Sequence, residues 1–255
     1  MDFTLKKYRK LVETLKRNNY NFQTFEEFIK SPKDRTVILR HDVDRRAINA
    51  TWLAQIEHEL GVKGSYYFRI VPESNNPEVI RKVAGFGHEI GYHYEDLGAA
   101  KGNYELAYKN YLENLKYFRN YYPVSTICMH GSPENKIDNR SIWKKYSYKE
   151  DGIIAEPYFD VNYNEVFYLT DTGRAWNKKS VIVRDKVETN FEIKTKNIEH
   201  IMKLIEKGEL PDKMIISTHP HRWFNVGLLW TKELILQNIK NVVKSVLIKL
   251  NVYER

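Results

Sequence analysis

One cysteine, Cys128, cannot close an intrachain disulfide, so this 255-residue chain does not read as a stapled secreted scaffold. Glycine and proline are sparse, at 12 and 8 residues, and no Gly/Ser/Pro-rich stretch divides the sequence. A single domain over residues 1–255 is therefore expected, not two joined by a linker. No run approaches the ~18 apolar residues needed to span a bilayer. The opening Met1-Asp2-Phe3-Thr4-Leu5-Lys6-Lys7 has no apolar stretch behind its charges, which excludes a signal peptide there and leads us to expect a cytoplasmic protein. Tracts of one charge are also missing. Forty-one Lys and Arg against 33 Asp and Glu leave +8, but the cations are scattered over helical faces without a recognisable binding motif. Nucleic acid is accordingly not an expected partner. The basic balance suits nucleotide-sugar phosphates, lipid-linked pyrophosphates or anionic membrane lipids, which leaves a peripheral membrane contact open.

What the sequence does contain is alternation. Leu5, Tyr8, Leu11, Val12 and Leu15 share one helical stripe, and Thr24 caps a short second helix; together they suggest a helical N-terminal cap over residues 1–35. From residue 36 short β-rich runs take turns with helical patterns. Thr36–Leu39, Ser65–Phe68, His88–His93 and Ser125–Met129 read as strands, separated by helical stretches closing near Leu60, Val83 and Asn120. Residues 131–190 are less regular, with strand candidates at 152–154, 166–169 and 181–183. A helix near Asn197 to Lys207, a strand over Met214–Ser217 and a final amphipathic helix in 226–255 complete the pattern. The last carries Leu234, Ile235, Ile239, Val242, Val243, Val246 and Leu250. This order predicts an α/β fold, with parallel strands in a core over 36–225 and helices outside.

The ionisable residues collect at strand C-terminal ends, where parallel α/β folds place their ligands. Asp42 and Asp44 follow the first strand, His93 ends the third, His130 follows the fourth, Asp171 follows 166–169, and His219 and His221 follow Met214–Ser217. One shared polar pocket is the simplest account. Asp42 and Asp44 point the same way if the strand conformation continues, and a cation or a shared proton would relieve their repulsion. A divalent metal held by one aspartate and one or two histidines leaves the other aspartate free as a base. The competing reading is capping of the helix beginning near Arg45, which accounts for one aspartate better than for two. His88 sits at the wrong end of its strand for the pocket.

These residues carry a family resemblance. His41-Asp42-Val43-Asp44, His88-Glu89-Ile90-Gly91-Tyr92-His93, Asp171-Thr172-Gly173-Arg174-Ala175-Trp176 and Ser217-Thr218-His219-Pro220 resemble, in order and spacing, the motifs of the polysaccharide deacetylase superfamily (carbohydrate esterase family 4). The resemblance covers about residues 36–225. It implies an irregular (β/α) barrel of about seven parallel strands, a divalent metal, most readily zinc, and hydrolysis of an acetyl group on a sugar. It also implies Asp42 as catalytic base, Asp44 and His93 as metal ligands and His219 as general acid. Two departures stand out. Leu97 occupies the place of the family's second metal histidine, and His130-Gly131-Ser132-Pro133 replaces its Arg-x-Pro-Tyr motif. Either His130 or Glu95 fills the ligand gap; His130 is preferred because it keeps the nitrogen-rich set that zinc favours. Arg174 and Arg40 are the candidates for the arginine beside Asp42. Trp176, Trp223 and the 18 tyrosines offer flat faces for sugar rings. The function expected is metal-dependent deacetylation of an acetylated sugar or glycan precursor in surface-polysaccharide biosynthesis. Its rival, prompted by Leu97, is a catalytically impaired glycan-binding or scaffold protein on the same fold.

Overall fold

The structure, a computed structural model, describes residues 1–131, 137–177 and 185–249. The strand expected over 181–183 and the Ser132-Pro133 pair lie outside the described residues. Seven strands are present among them: β1 (Asn21–Phe22), β2 (Thr36–Val43), β3 (Ser65–Phe68), β4 (Glu89–Tyr94), β5 (Ile127–Met129), β6 (Phe167–Thr170) and β7 (Lys213–Thr218). Every pairing is parallel, in the order β5-β4-β3-β2-β7-β6, with β1 beside the start of β2. The segment expected to be a helical cap thus also contributes a short strand to the sheet. Every residue of β2 to β6 is buried, as a parallel sheet covered on both faces requires.

The sheet curls. Cys128 of β5 and Tyr168 of β6 stand at opposite edges, yet both join Ile38 of β2, Tyr67 of β3 and Ile215 of β7 in one interior cluster. Among the described residues no pairing links β5 to β6, so the fold is the irregular, open (β/α) barrel. Helices α1 (Leu5–Arg17), α2 (Phe25–Lys30), α3 (Ile48–Glu59), α4 (Pro77–Gly85), α5 (Asp96–Ala99), α6 (Tyr104–Phe118), α7 (Pro157–Asp160), α8 (Ile198–Glu206) and α9 (Leu228–Lys249) surround it. Their starts are chemically marked: Thr24 and Glu27 form a capping box on α2, and Asn76 caps α4 with Pro77 in its first turn. Residues 152–154 form no strand; Ile154 N–H donates to the Ser125 carbonyl at 2.8 Å, and the next residue, Ala155, forms an isolated parallel bridge with Thr126.

β2 runs four residues past its expected end, because β3 and β7 both pair with that stretch. Arg40 aligns with Ser65 on one side and Ser217 on the other. The polar side chains there are accommodated on both faces. On the outer face, His41 Nε2 lies 2.7 Å from Glu57 Oε1 and its Nδ1 lies 2.7 Å from Thr218 Oγ1. Tyr66 donates to Glu57 at 2.8 Å and Tyr8 donates to it as well. This network fastens α1 and α3 to three strands. Burial pushes the Glu57 carboxyl up, but His41, His88 and Tyr8 outweigh it and hold the group below the ordinary carboxylate range. On the inner face, Gly91 of β4 stands opposite Tyr67, where an added Cβ would run into the tyrosine ring.

Two stability outcomes follow. Gly91→Ala should cost about 1–3 kcal/mol through overpacking, read from urea unfolding. Glu57→Gln should cost about 3 kcal/mol at neutral pH, where the wild-type carboxylate is ionised and paired. A depressed pKa adds stability above the unfolded value of about 4.3 and loses it as pH falls through the folded one, so the gap between the proteins should narrow in acid.

Candidate metal centre

Alternation along β2 turns Arg40 and Asp42 to the barrel interior and His41 outward. Asp44 arrives differently from the expectation. The strand does not continue; the chain turns, with Asp44 N–H donating to the Asp42 carbonyl at 3.1 Å, and Arg69 Nη1 holds the Asp44 carbonyl at 3.1 Å. Neither aspartate caps the next helix, since the residue preceding α3 is Ala47 and no side chain bonds there.

His93 is the penultimate residue of β4 and His130 follows β5, where its N–H donates to the Tyr94 carbonyl at 2.8 Å. Each imidazole has one nitrogen committed. His93 Nδ1 lies 2.8 Å from the Cys128 carbonyl, which can only accept, so that nitrogen carries the proton and Nε2 keeps its lone pair. His130 Nδ1 lies 2.8 Å from Glu95 Oε2, and Arg69 grips the same carboxylate at 2.8 and 2.9 Å. The two free Nε2 atoms stand 3.5 and 3.6 Å from Asp44 Oδ1. Ligands about 2.0–2.2 Å from a tetrahedral ion are about 3.3–3.6 Å apart, so each nitrogen stands at the spacing of one coordination shell from Asp44 Oδ1, and the three ligand atoms lie within 4.8 Å of one another. Asp44 Oδ1 is buried and receives no hydrogen bond, a cost that a cation would remove. Burial pushes Asp44 up, yet His93, His219 and His130 bring it well below the ordinary carboxylate range.

Asp44, His93 and His130 form one of two groups among the described residues that could hold an ion; Asp42, His93 and Cys128 form the other. The first is chemically better. His93 has only Nε2 to offer and that atom faces Asp44, while burial pushes the Cys128 thiol up and keeps it protonated. Of the two ways to fill the ligand gap, the geometry favours His130. Glu95 stands behind it, orienting the ring, and Leu97 is buried in α5 within the apolar core.

Beside this group lies Asp42. Arg40, 1% exposed, donates to Asp42 Oδ2 at 2.8 Å, while Asp42 Oδ1 is buried with no donor. Arg40 also donates to Tyr168 Oη at 2.9 Å and lies 3.4 Å from Asp185, which accepts from Tyr158 at 2.7 Å. Arg174, the other candidate, sits over the Phe3 and Trp230 rings instead. His219 follows β7 and points Nε2 at Asp44 Oδ2, 3.8 Å away. Its Nδ1 meets Asp171 Oδ1 at 2.6 Å, and Asp171 is held in turn by Arg222 at 2.7 Å and Trp223 Nε1 at 2.8 Å. Burial pushes Asp171 up, but Arg222 and His219 keep it below the ordinary range and hence ionised.

The structure therefore brings Asp42, Asp44, His93, His130 and His219 to one end of the barrel. It does not bring Trp176 or Trp223 there as open faces: they are 3% and 0% exposed and pack with Phe3. His88 is structural, its Nδ1 accepting from Gly64 N–H and its Nε2 bonded to the Ala54 carbonyl. Arg69, Arg222 and Asp185 were not singled out in the sequence. Arg69 follows β3 directly and Arg222 lies three residues after His219, so the strand-end rule reaches both; Asp185 lies in the irregular segment and carries no such signal.

Truncation of the group behind His130 provides the check. Glu95→Ala should leave the fold intact and weaken zinc binding about 10–100-fold in competition with a chromogenic chelator. No family model matches the chain and no curated protein matches it, so the site stands on its own geometry.

Proposed function

We propose that the protein is a metal-dependent hydrolase that removes an acetyl group from an acetylated sugar or glycan precursor, in the assembly of surface polysaccharide. The observation that carries this reading is the pairing of one orphaned carboxylate oxygen with two imidazoles, each fixed through its second nitrogen. Asp44, His93 and His130 would hold the ion, most readily zinc given two nitrogen donors and one oxygen. A divalent cation there supplies two things: a more acidic attacking water and a sink for charge on the acyl oxygen.

The remaining steps belong to side chains. Asp42 accepts the proton of the attacking water through Oδ1, the oxygen left without a donor, while Arg40 fixes the other oxygen. Water adds to the acyl carbon, the C–N bond breaks, and the electron pair leaves with the amine. His219 delivers a proton to that nitrogen from Nε2, with Asp171 stabilising the imidazolium through Nδ1. The products are acetate and the free amino sugar. Among the described residues no helix is long and apolar enough to cross a membrane, and the one cysteine is a buried free thiol. Both features are compatible with the cytoplasmic setting that this reading adopts.

Elemental analysis of the purified protein should find one zinc per chain, lost in Asp44→Ala. Acetate release from acetylated amino sugars should require that metal. Asp42→Asn should retain the zinc but lower kcat about 10²–10⁴-fold. Release that survives chelation, or that Asp42→Asn leaves untouched, would sink the mechanism, and a folded protein that never takes up metal would favour the glycan-binding alternative.

A further inference from the structure

The last helix is built inside out. Besides half-buried Trp230, whose Nε1 donates to the Asp2 carbonyl at 3.0 Å, α9 meets the barrel through polar side chains: buried Glu233 accepts from Arg45 at 2.9 Å, Asn241 donates to the Gly173 carbonyl at 2.7 Å, and buried Gln237 donates to Asn241 at 2.8 Å. Six of its apolar residues face away. Ile235, Leu236, Ile239, Val242, Val243 and Val246 are between 43% and 66% exposed. At about 100° per residue they occupy an arc within about 60° either side of Ile239, and the polar contacts lie opposite. A helix needed only to cover the barrel would carry the reverse pattern, because an exposed apolar stripe costs free energy that an inward-facing one recovers.

Charge identifies the occupant of that stripe. The helix holds exposed Lys232 and Lys240, and its one acid, Glu233, is turned inward onto Arg45. A second copy of α9 would set lysines against lysines with no carboxylate of its own to offset them. Anionic headgroups offer a counter-charge to each. Among the described residues no helix has the length and apolarity to cross a bilayer, so the helix can lie on a membrane but not span it. We propose that α9 is an interfacial helix that docks the protein on an anionic lipid surface, with the Ile239 stripe in the headgroup boundary. The position of the helix extends the inference. Its tethers, Arg45 and Gly173, follow Asp44 by one residue and Asp171 by two, so the docked helix borders the site. On the deacetylase reading, on which this step rests, the substrate is an acetylated sugar carried on a lipid and presented from the membrane plane.

Vesicle flotation of the full chain, without sugar or added metal, tests the docking alone. The protein should float with phosphatidylcholine vesicles containing phosphatidylglycerol, remain behind with phosphatidylcholine alone, and be released as salt rises. The double variant Ile239→Asp/Val242→Asp should keep its circular dichroism spectrum and lose about 10-fold or more in partitioning. Equal flotation with both vesicle types, flotation unaffected by the double variant, or no flotation overturns the proposal. So does a dimer in sedimentation velocity that the double variant dissociates without any vesicle binding, which assigns the stripe to a second copy. Acetate release then tests the substrate step. A vesicle-borne acetylated glycolipid should be turned over faster by wild type than by the double variant, with a water-soluble acetylated sugar turned over equally by both. Equal rates of the two proteins on the glycolipid overturn that step, whereas release from neither substrate removes the deacetylase reading and leaves the docking result standing.

Discussion

Three imidazoles around one carboxylate set the character of this molecule. His93, His130 and His219 each hold one nitrogen against a fixed acceptor, a main-chain carbonyl in the first case and the Glu95 and Asp171 carboxylates in the others. Their other nitrogens all turn toward Asp44. Rotation of any ring would break a buried hydrogen bond at a cost of about 1–3 kcal/mol, so the arrangement does not depend on a bound ligand to hold its shape. The two carboxylates are themselves held by Arg69 and Arg222. The result is a concentric design in which charge is compensated outward from Asp44, in low dielectric where unpaired groups are costly.

A second chain of compensation runs deeper in the barrel. Arg40 lies between Asp42 and Asp185, and the Tyr158 and Tyr168 hydroxyls both reach Asp185. The guanidinium is desolvated, yet the Asp42 charge beside it helps hold its pKa well above the ordinary value. This pairing leaves Asp42 with one oxygen occupied and one exposed to the interior of the site. Gly91 is part of the same layer: without a side chain, it lets the Tyr67 ring fill the barrel beneath His93.

Much of this was legible in the sequence, for identifiable reasons. Alternating β and α patterns carry strong periodicity, and β3 appears over the residues expected for it, because Ser-Tyr-Tyr-Phe between polar turns has no good helical alternative. The rule that function gathers at strand ends located Asp44, His93, His130 and His219 because it depends on topology and not on contacts. The rule could not show how Asp44 gets there. That depends on a turn bonded through Asp42, and local turns compete closely with strand continuation. Arg40 was nameable but not assignable, since choosing it over Arg174 required knowing that Arg174 lies under aromatic rings. The orientation of α9 was illegible in principle: helical periodicity reports that one face is apolar and says nothing of which way that face turns.

The burial of Leu97 has a structural corollary. With Leu97 closed into the core at 1% exposure, α5 seats dry against the helices beside it. The imidazole that faces Asp44 from this side comes from His130, whose backbone is tied by a hydrogen bond to β4. The placement of that ring rests on the main-chain register of two strands, a stiffer support than a four-residue helix.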